Sequence, residues 1–316
     1  MNFSFLYVSL HKNIFLQMKR KIFRFSFFIV LFSLLLSCNN YTKSTFDADN
    51  GVEFSVISVN EKHFLDNNPE NPSCNLTLKF VYPESIANFN VETAKSVFLK
   101  TVIGANYDSL SVQEAIDKYV QSYIENYQND AEIYKVNKLA QNNVSDALDE
   151  LYLTDDEHDY LPEVFYSYYE NLSDSIVYNH YGIISFQVKQ INNKGGQISY
   201  ETVKNYVLDL LSGKLITEDD IFTVGYDVAL RPIIQNSLME VNKVKSVHEL
   251  EDLGFFGLDE ILPNKNFLIT DKGITYTFNK GEYSAYQLDV PEIFIPYGSI
   301  RSLLRENSIV SKLSRL

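Results

Sequence analysis

The fold is best predicted from the stretch Asn205-Tyr206-Val207-Leu208-Asp209-Leu210-Leu211-Ser212-Gly213-Lys214-Leu215-Ile216-Thr217-Glu218-Asp219-Asp220-Ile221-Phe222. Its first part favours a strand that ends in a tight turn, because Ser212 and Gly213 directly follow an apolar run. The run from Glu218 to Phe222 then begins the next element. The stretch therefore predicts the last strand of a sheet and the start of the element that follows it.

Two further strand-like runs precede this stretch. The three runs, taken together, predict an antiparallel meander, with Asn192-Asn193-Lys194-Gly195-Gly196 as the turn between the second and the third. Their predicted ranges are Glu163 to Tyr178, Ile183 to Ile191 and Tyr200 to Leu211.

The rest of the chain separates strands from helices. Period-two alternation predicts strands near 52–59 and 76–82, and helical spacing predicts helices near 91–102 and 111–127. Ser111 and Glu114 fit the capping box of the second helix. The pattern weakens from Asn129 to Tyr160, which predicts a connector.

Two helices and three short strands are expected in the C-terminal part. The predicted elements are a helix at Tyr226 to Val241, strands at Asn266 to Ile269, Gly273 to Phe278 and Pro291 to Ile295, and a helix at Ser299 to Leu304. Segregated strands and helices favour the α+β class. We expect two α+β subdomains, 52–160 and 161–316, with antiparallel sheets and helices packed on one face.

The N-terminus has the features of an export signal. Met18-Lys19-Arg20-Lys21 supplies a charged region, and an apolar run of about 12 residues follows it, whereas a membrane-spanning helix needs about 20. Residues 1–37 are therefore predicted to be a signal peptide. Met18 opens a complete signal and is an alternative start.

Leu35-Leu36-Ser37-Cys38 resembles a bacterial lipobox, in which cleavage precedes a cysteine that receives a diacylglycerol. Cys38 is accordingly the predicted lipidation site, residues 38–51 are a polar tether, and the membrane is a partner through the lipid. The expected location is the cell envelope, periplasmic or associated with the outer membrane.

Charge and cysteine usage follow from this processing. Removing residues 1–37 takes away five basic residues and no acidic residue, which changes the formal net charge from −14 to −19. Nucleic acid is excluded as an expected partner, because its binding depends on Lys and Arg neutralising phosphates. Once Cys38 carries lipid, Cys74 lacks a disulfide partner and is expected to be a small core residue.

No catalytic constellation is recognisable in the sequence. It contains no His-Glu-x-x-His, no Gly-x-Ser-x-Gly, no phosphate-binding glycine loop and no Cys-x-x-Cys. The acidic run around His158 lacks the ligand spacing of a calcium loop and is interpreted as a solvated loop. We expect no catalytic residue, no metal and no cofactor.

Three segments together resemble the extracytoplasmic domain of the lysozyme-sensing anti-sigma-V factor. They are the stretch quoted above, Gly273-Ile274-Thr275-Tyr276-Thr277-Phe278-Asn279, and Ile293-Phe294-Ile295-Pro296-Tyr297. That domain type also occurs beside peptidoglycan deacetylases and in Gram-negative lipoproteins. The family loop commonly runs Phe-Asn-Pro-Tyr-Glu-x-Ala-Pro-Tyr, of which Glu282 and Tyr286 are present here. The resemblance implies that Tyr276, Glu282, Tyr283 and Tyr286 are candidate ligand-binding residues.

Three functions remain open at this point. The leading hypothesis is a non-catalytic envelope lipoprotein that binds a protein or a cell-wall glycan, for instance a basic, lysozyme-like muramidase or peptidoglycan. The alternatives are an envelope hydrolase or deacetylase with an unrecognised site, and a structural lipoprotein of an envelope assembly.

Overall fold

A computed structural model describes residues 49–149, 165–195 and 199–316. The predicted signal peptide, Cys38 and the acidic run around His158 lie outside the described residues. None of the helices described is both long enough and apolar enough to cross a membrane.

The larger sheet has six strands in the spatial order in which the chain forms them. The predicted meander is confirmed, since β3 pairs antiparallel with β4 and β4 with β5. One neighbouring pair, β2 and β3, is parallel, which requires the intervening chain to cross over the sheet. The strands are β1 (Val52–Phe64), β2 (Ser73–Ile86), β3 (Tyr168–His180), β4 (Ile183–Lys194), β5 (Tyr200–Asp209) and β6 (Lys214–Leu215).

This sheet includes strands from both sides of residue 160, which is the domain boundary that we predict from the sequence. Six residue pairs join β2 to β3, from Cys74 opposite Tyr168 to Lys79 opposite Ser173. The division into two subdomains stays a prediction, while the α+β class is confirmed.

Two helices, α1 (Val91–Val102) and α2 (Val112–Asp149), provide the crossover between β2 and β3. Asn90 caps α1 by accepting the Thr93 N–H at 3.2 Å. The predicted capping box of α2 is present, since the Ser111 N–H donates to Glu114 at 3.2 Å and the Glu114 N–H donates to Ser111 at 3.4 Å. The helices pack on one face of the sheet, where the rings of Phe98 and Phe186 stack 4.2 Å apart.

Helix α2 extends well beyond the predicted end near residue 127 and continues to Asp149. The prediction of a connector from Asn129 was therefore wrong for the first 21 residues of that range, 129–149. Tyr127 and Ala131 are buried against Cys74 and Leu65, which anchors the helix past the point where its apolar pattern fades. Tertiary packing thus continues a helix that sequence periodicity alone does not support.

Cys74 is a buried free thiol, as predicted. Burial raises its pKa to about 11, because the thiolate would lose its hydration in this apolar cluster.

A second, three-stranded antiparallel sheet contains β7 (Phe267–Ile269), β8 (Gly273–Thr277) and β9 (Glu292–Pro296). It contacts the larger sheet at β4 and β5, where the Ser185 hydroxyl donates to the carbonyl of Ile269 at 2.6 Å. Helix α4 (Tyr226–Asn242) packs on β9. The remaining helices are α3 (Glu218–Ile221), α4 (Tyr226–Asn242), α5 (Val247–Asp252), α6 (Tyr297–Ile300) and α7 (Ile309–Leu313), with short 3-10 turns at 65–67, 105–107, 258–260 and 301–303.

Candidate functional site

The loop after β8 pairs with the segment that follows α5. Phe255 and Ser284 form an antiparallel bridge, the Phe256 N–H donates to the Tyr283 carbonyl at 3.0 Å, and the Ala285 N–H donates to the Gly254 carbonyl at 2.9 Å. Neighbouring residues of an extended segment face opposite sides. Since Phe255 and Ser284 are buried, Phe256 and Tyr283 are turned outward.

This pairing produces an exposed apolar surface, which we call the aromatic face: Leu253, Phe256, Tyr283 and Tyr286. The exposed fractions are 47% for Leu253, 45% for Phe256 and 64% for Tyr286, while Tyr283 is half-buried with its ring edge-on to Phe278 at 5.5 Å. Large apolar side chains that cluster at a surface are typical of interaction sites.

A glycine positions the most exposed of these rings. Gly281 has a φ of +84°, and a Cβ placed there would lie 2.8 Å from the Tyr286 hydroxyl oxygen. A residue with a side chain would be strained in this left-handed conformation and would also displace the tyrosine. Gly281 thus allows Tyr286 to fold back over the turn.

The two segments that form the aromatic face are rich in carboxylates. Residues 251–260 and 281–290 contain six acidic residues and no Lys or Arg. All six are exposed: Glu251, Asp252, Asp259, Glu260, Glu282 and Asp289. Glu282 is held in place by Asn264, whose side-chain amide donates to it at 2.8 Å. The two segments therefore combine exposed apolar side chains with exposed negative charge.

Three of the four predicted ligand-binding residues, Glu282, Tyr283 and Tyr286, lie together in this loop. Tyr276 does not, because it occupies β8 and is fully buried against Phe267, with ring centroids 5.8 Å apart. Its inclusion in an accessible surface is corrected for that reason. The ligand-binding role of the other three residues stays a prediction.

Sequence reasoning missed Leu253 and Phe256. A signal was present in Gly254-Phe255-Phe256-Gly257, where two adjacent phenylalanines in an extended segment must face opposite sides. Which of the two is exposed depends on the bridge from Phe255 to Ser284, which joins residues far apart in the sequence.

A separate concave site lies beside the edge of β5. It is a cleft of about 310 Å³, here called the Glu218 cleft, whose walls include the rings of Tyr206, Tyr226 and Phe267. Its polar lining includes Glu218, Asp219 and Lys265. Apolar walls with a few converging polar groups are characteristic of small-ligand sites.

Glu218 is buried and is held by neutral donors. The Tyr226 hydroxyl donates to Oε2 at 2.8 Å and the Lys265 backbone N–H donates to Oε1 at 2.9 Å. The hydroxyl of Tyr276 lies beside the same carboxylate without a hydrogen bond of normal geometry. Burial, followed by the interaction with the Glu218 carboxylate, raises the pKa of both Tyr226 and Tyr276, so both hydroxyls stay protonated at neutral pH.

No metal centre accompanies these features in the part of the chain that the structure describes. There, no three His, Cys, Asp or Glu side chains are grouped so that they could hold a metal ion.

The fold and the two surfaces define a mixed α+β protein with an acidic, aromatic-centred face. Residues 219–298 match the family model described as "Protein of unknown function (DUF3298)", so a DUF3298 domain is present in the C-terminal part of the chain. No curated protein matches the sequence.

Solved structures similar to this one include two DUF3298 family proteins. One is a member of the DUF3298 family from Bacteroides fragilis NCTC 9343, with a TM-score of 0.70 and 25% identity over 85% of this chain and 100% of that chain. The other is a DUF3298 family protein from Pseudomonas aeruginosa PAO1, with a TM-score of 0.53 and 10% identity over 81% of this chain and 97% of that chain. The second likeness concerns the fold alone.

Proposed function

We propose that this protein is a non-catalytic lipoprotein of the cell envelope that binds a basic protein ligand through the aromatic face. A lysozyme-like muramidase is an example of such a ligand. The observation that carries the proposal is the combination of exposed Leu253, Phe256 and Tyr286 with six exposed carboxylates, and no Lys or Arg, in residues 251–260 and 281–290.

Two physical effects support a protein ligand with positive charge. Burying exposed aromatic rings contributes most of the affinity at interface centres, and tyrosine and phenylalanine are enriched there. The carboxylates attract a basic partner over distances up to the Debye length, about 10 Å at 0.1 M salt, and thereby raise the association rate. Apolar contact would supply the affinity, and charge would supply the partner preference.

The resemblance to the extracytoplasmic domain of the anti-sigma-V factor supports the same proposal. Glu282 and Tyr286, two of the residues that match the family loop, both lie in the loop that forms the aromatic face. The lipid anchor at Cys38 is proposed from the sequence, and it would hold the binding module at a membrane of the cell envelope.

The binding proposal is tested by calorimetric titration of the full chain with a lysozyme at low and at high salt. Phe256→Ala and Tyr286→Ala should each weaken binding at least tenfold, and added salt should weaken it further. Matched controls are Phe294→Ala and Tyr200→Ala, whose side chains are 46% and 60% exposed on other parts of the protein. We expect both controls to bind as the wild type does.

Absence of binding at low salt would reject lysozyme as the ligand. Equal losses in test and control variants would reject the aromatic face as the site. Binding of peptidoglycan fragments in place of lysozyme would replace the protein ligand with a glycan. The anchor is tested separately, because Cys38→Ser should abolish incorporation of a labelled fatty acid and release the protein from the membrane fraction.

A further inference from the structure

The Glu218 carboxylate is a buried negative charge without a cationic partner in the described residues. Its side chain is 2% exposed, and its hydrogen bonds come from a tyrosine hydroxyl and a backbone amide, both of them neutral. No Lys, Arg or His nitrogen of the described chain lies within 4.0 Å of it. Buried charges in proteins are usually paired, because an unpaired one loses its hydration without compensation.

The same carboxylate lines an open cleft, so a counter-charge can arrive from outside the chain. The cleft volume of about 310 Å³ is at the lower end of the range for small-ligand pockets. Asp219, the next residue, is exposed and adds a second carboxylate among the lining residues. Both acidic groups favour a positively charged occupant.

The walls of the cleft fit an organic cation better than a bare metal ion. Tyr206 and Tyr226 present aromatic surface, and aromatic faces attract ammonium and guanidinium groups. Tyr206 is fixed by stacking on Phe186 at 5.4 Å, and Tyr226 by stacking on Phe222 at 4.9 Å. Both rings are therefore held in place before a ligand binds.

We propose that the Glu218 cleft binds an alkylammonium or alkylguanidinium group, with Glu218 and Asp219 as the counter-charges and the rings of Tyr206 and Tyr226 around the alkyl chain. This goes beyond the proposed function, because the cleft contains none of the residues of the aromatic face. The group could be carried by a small amine or by a Lys or Arg side chain of a protein, and the experiment separates these sources.

The test is a titration of the ¹⁵N-labelled full chain, followed by the amide chemical shift of Lys265, whose N–H is bonded to Glu218. The probes are n-butylammonium, n-butylguanidinium and the neutral alcohol n-pentanol, followed by a lysine-containing peptide. The two cations should shift the Lys265 amide with saturation below about 10 mM, and the alcohol should not. Saturation by the peptide but not by the free amines would assign the cleft to a protein side chain, and the reverse would assign it to a small molecule.

Four variants make the test specific to the carboxylates. Glu218→Gln should abolish saturable binding, while Glu61→Gln, the same change on β1 at the opposite edge of the larger sheet, should leave it intact. Lys265→Asn removes the ammonium of the lining and keeps the backbone N–H, so it should increase affinity for the cations several-fold. If Glu218→Gln does not fold, Asp219→Asn, which changes an exposed side chain, should still weaken binding several-fold.

Three outcomes would overturn the proposal. The first is no saturable shift for any cationic probe, and the second is equal binding of the alcohol and the amines. The third is unchanged affinity in both Asp219→Asn and Lys265→Asn.

Discussion

The side chain of Asn279 pairs with the backbone of Val203 as a neighbouring strand would. Its Oδ1 accepts the Val203 N–H at 2.7 Å, and its Nδ2 donates to the Val203 carbonyl at 3.0 Å. Asn266 extends the arrangement by accepting the Asn205 N–H at 2.7 Å and donating to the Val203 carbonyl at 2.9 Å. Two side-chain amides thus satisfy part of the edge of β5 that no strand covers.

Replacing Asn279 with aspartate should destabilise the fold. Asp keeps an oxygen for the Val203 N–H but places a second oxygen against the Val203 carbonyl, so one hydrogen bond is lost and two acceptors meet. We expect a loss of about 2 kcal/mol in the free energy of unfolding. Urea denaturation measures it, with exposed Asn60→Asp on β1 as the control. Equal losses in the two variants would contradict the assigned role of Asn279.

Gly273→Ala should be strongly destabilising. A Cβ at this position would lie 2.3 Å from the carbonyl oxygen of Ile295 in the paired strand β9, so the strands of the smaller sheet would have to separate. We expect a loss of more than about 2 kcal/mol. The control is Gly298→Ala, because nothing lies within 4 Å of its added Cβ and the residue is in α6, where alanine is favourable. Thermal unfolding of both variants measures whether Gly273→Ala is more destabilised than Gly298→Ala.

Asp174→Asn should alter how stability depends on pH. Asp174 is buried at the point where the paired part of β2 and β3 ends, and it accepts the Val81 N–H at 2.7 Å. Burial raises its pKa from 3.8 to about 7, whereas the hydrogen bond from Val81 and the charge of Lys79 oppose that rise. The folded protein therefore holds this proton more tightly than the unfolded chain.

The sign of the effect follows from this difference in proton binding. Between pH 4 and pH 7 the unfolded chain releases the proton first, so Asp174 lowers stability as pH rises, by at most about 1.4 kcal/mol per pH unit. Asp174→Asn should remove this slope, and its stability relative to the wild type should increase from pH 4 to pH 7. Urea titrations at several pH values measure the slope, and Asp252→Asn, at an exposed position, should retain it. If the free energy of unfolding changed with pH in the same way in the wild type and in Asp174→Asn, the prediction would be contradicted.

Cys74 should resist thiol reagents until the protein unfolds. Its thiol is buried and its pKa is raised to about 11, and both features suppress the reactive thiolate at neutral pH. In a Cys38→Ser protein, which contains one cysteine, labelling by a disulfide reagent should be slow in buffer and complete in urea. Fast labelling of the folded protein would show that the cluster around Cys74 opens.

A substantial part of the fold could be predicted because it follows from local pattern. Alternation located the strands near 52–59 and 76–82, strand-like runs and turn residues located the meander, and Ser111 with Glu114 marked the start of α2. All of these signals involve residues close together in the sequence. The end of α2 could not be found in this way. Residues past Asn129 lack a strong apolar period, and the helix persists because Tyr127 and Ala131 pack on Cys74 and Leu65.

The candidate site was predicted in part for the same reason. Glu282, Tyr283 and Tyr286 lie in one loop and could be grouped by their position in the sequence. Phe256 joins them through hydrogen bonds with a segment about 30 residues away, and no local pattern reveals such a pairing. Tyr276 could not be excluded without the structure, because a tyrosine on a strand can face either side of its sheet.

The sequence by itself determined the α+β class and the antiparallel meander, because these depend on the period of apolar residues and on turn chemistry. It also predicts the export signal and the modification of Cys38, which depend on a short linear motif. Only the tertiary structure decided that β2 and β3 run parallel, and that Phe256 is exposed while Tyr276 is buried. It also decided that Glu218 lies in a cleft with no Lys, Arg or His nitrogen of the described residues within 4.0 Å of its carboxylate. Each of these features depends on contacts between residues far apart in the chain. Packing, and not the neighbouring sequence, decides which of these residues meet.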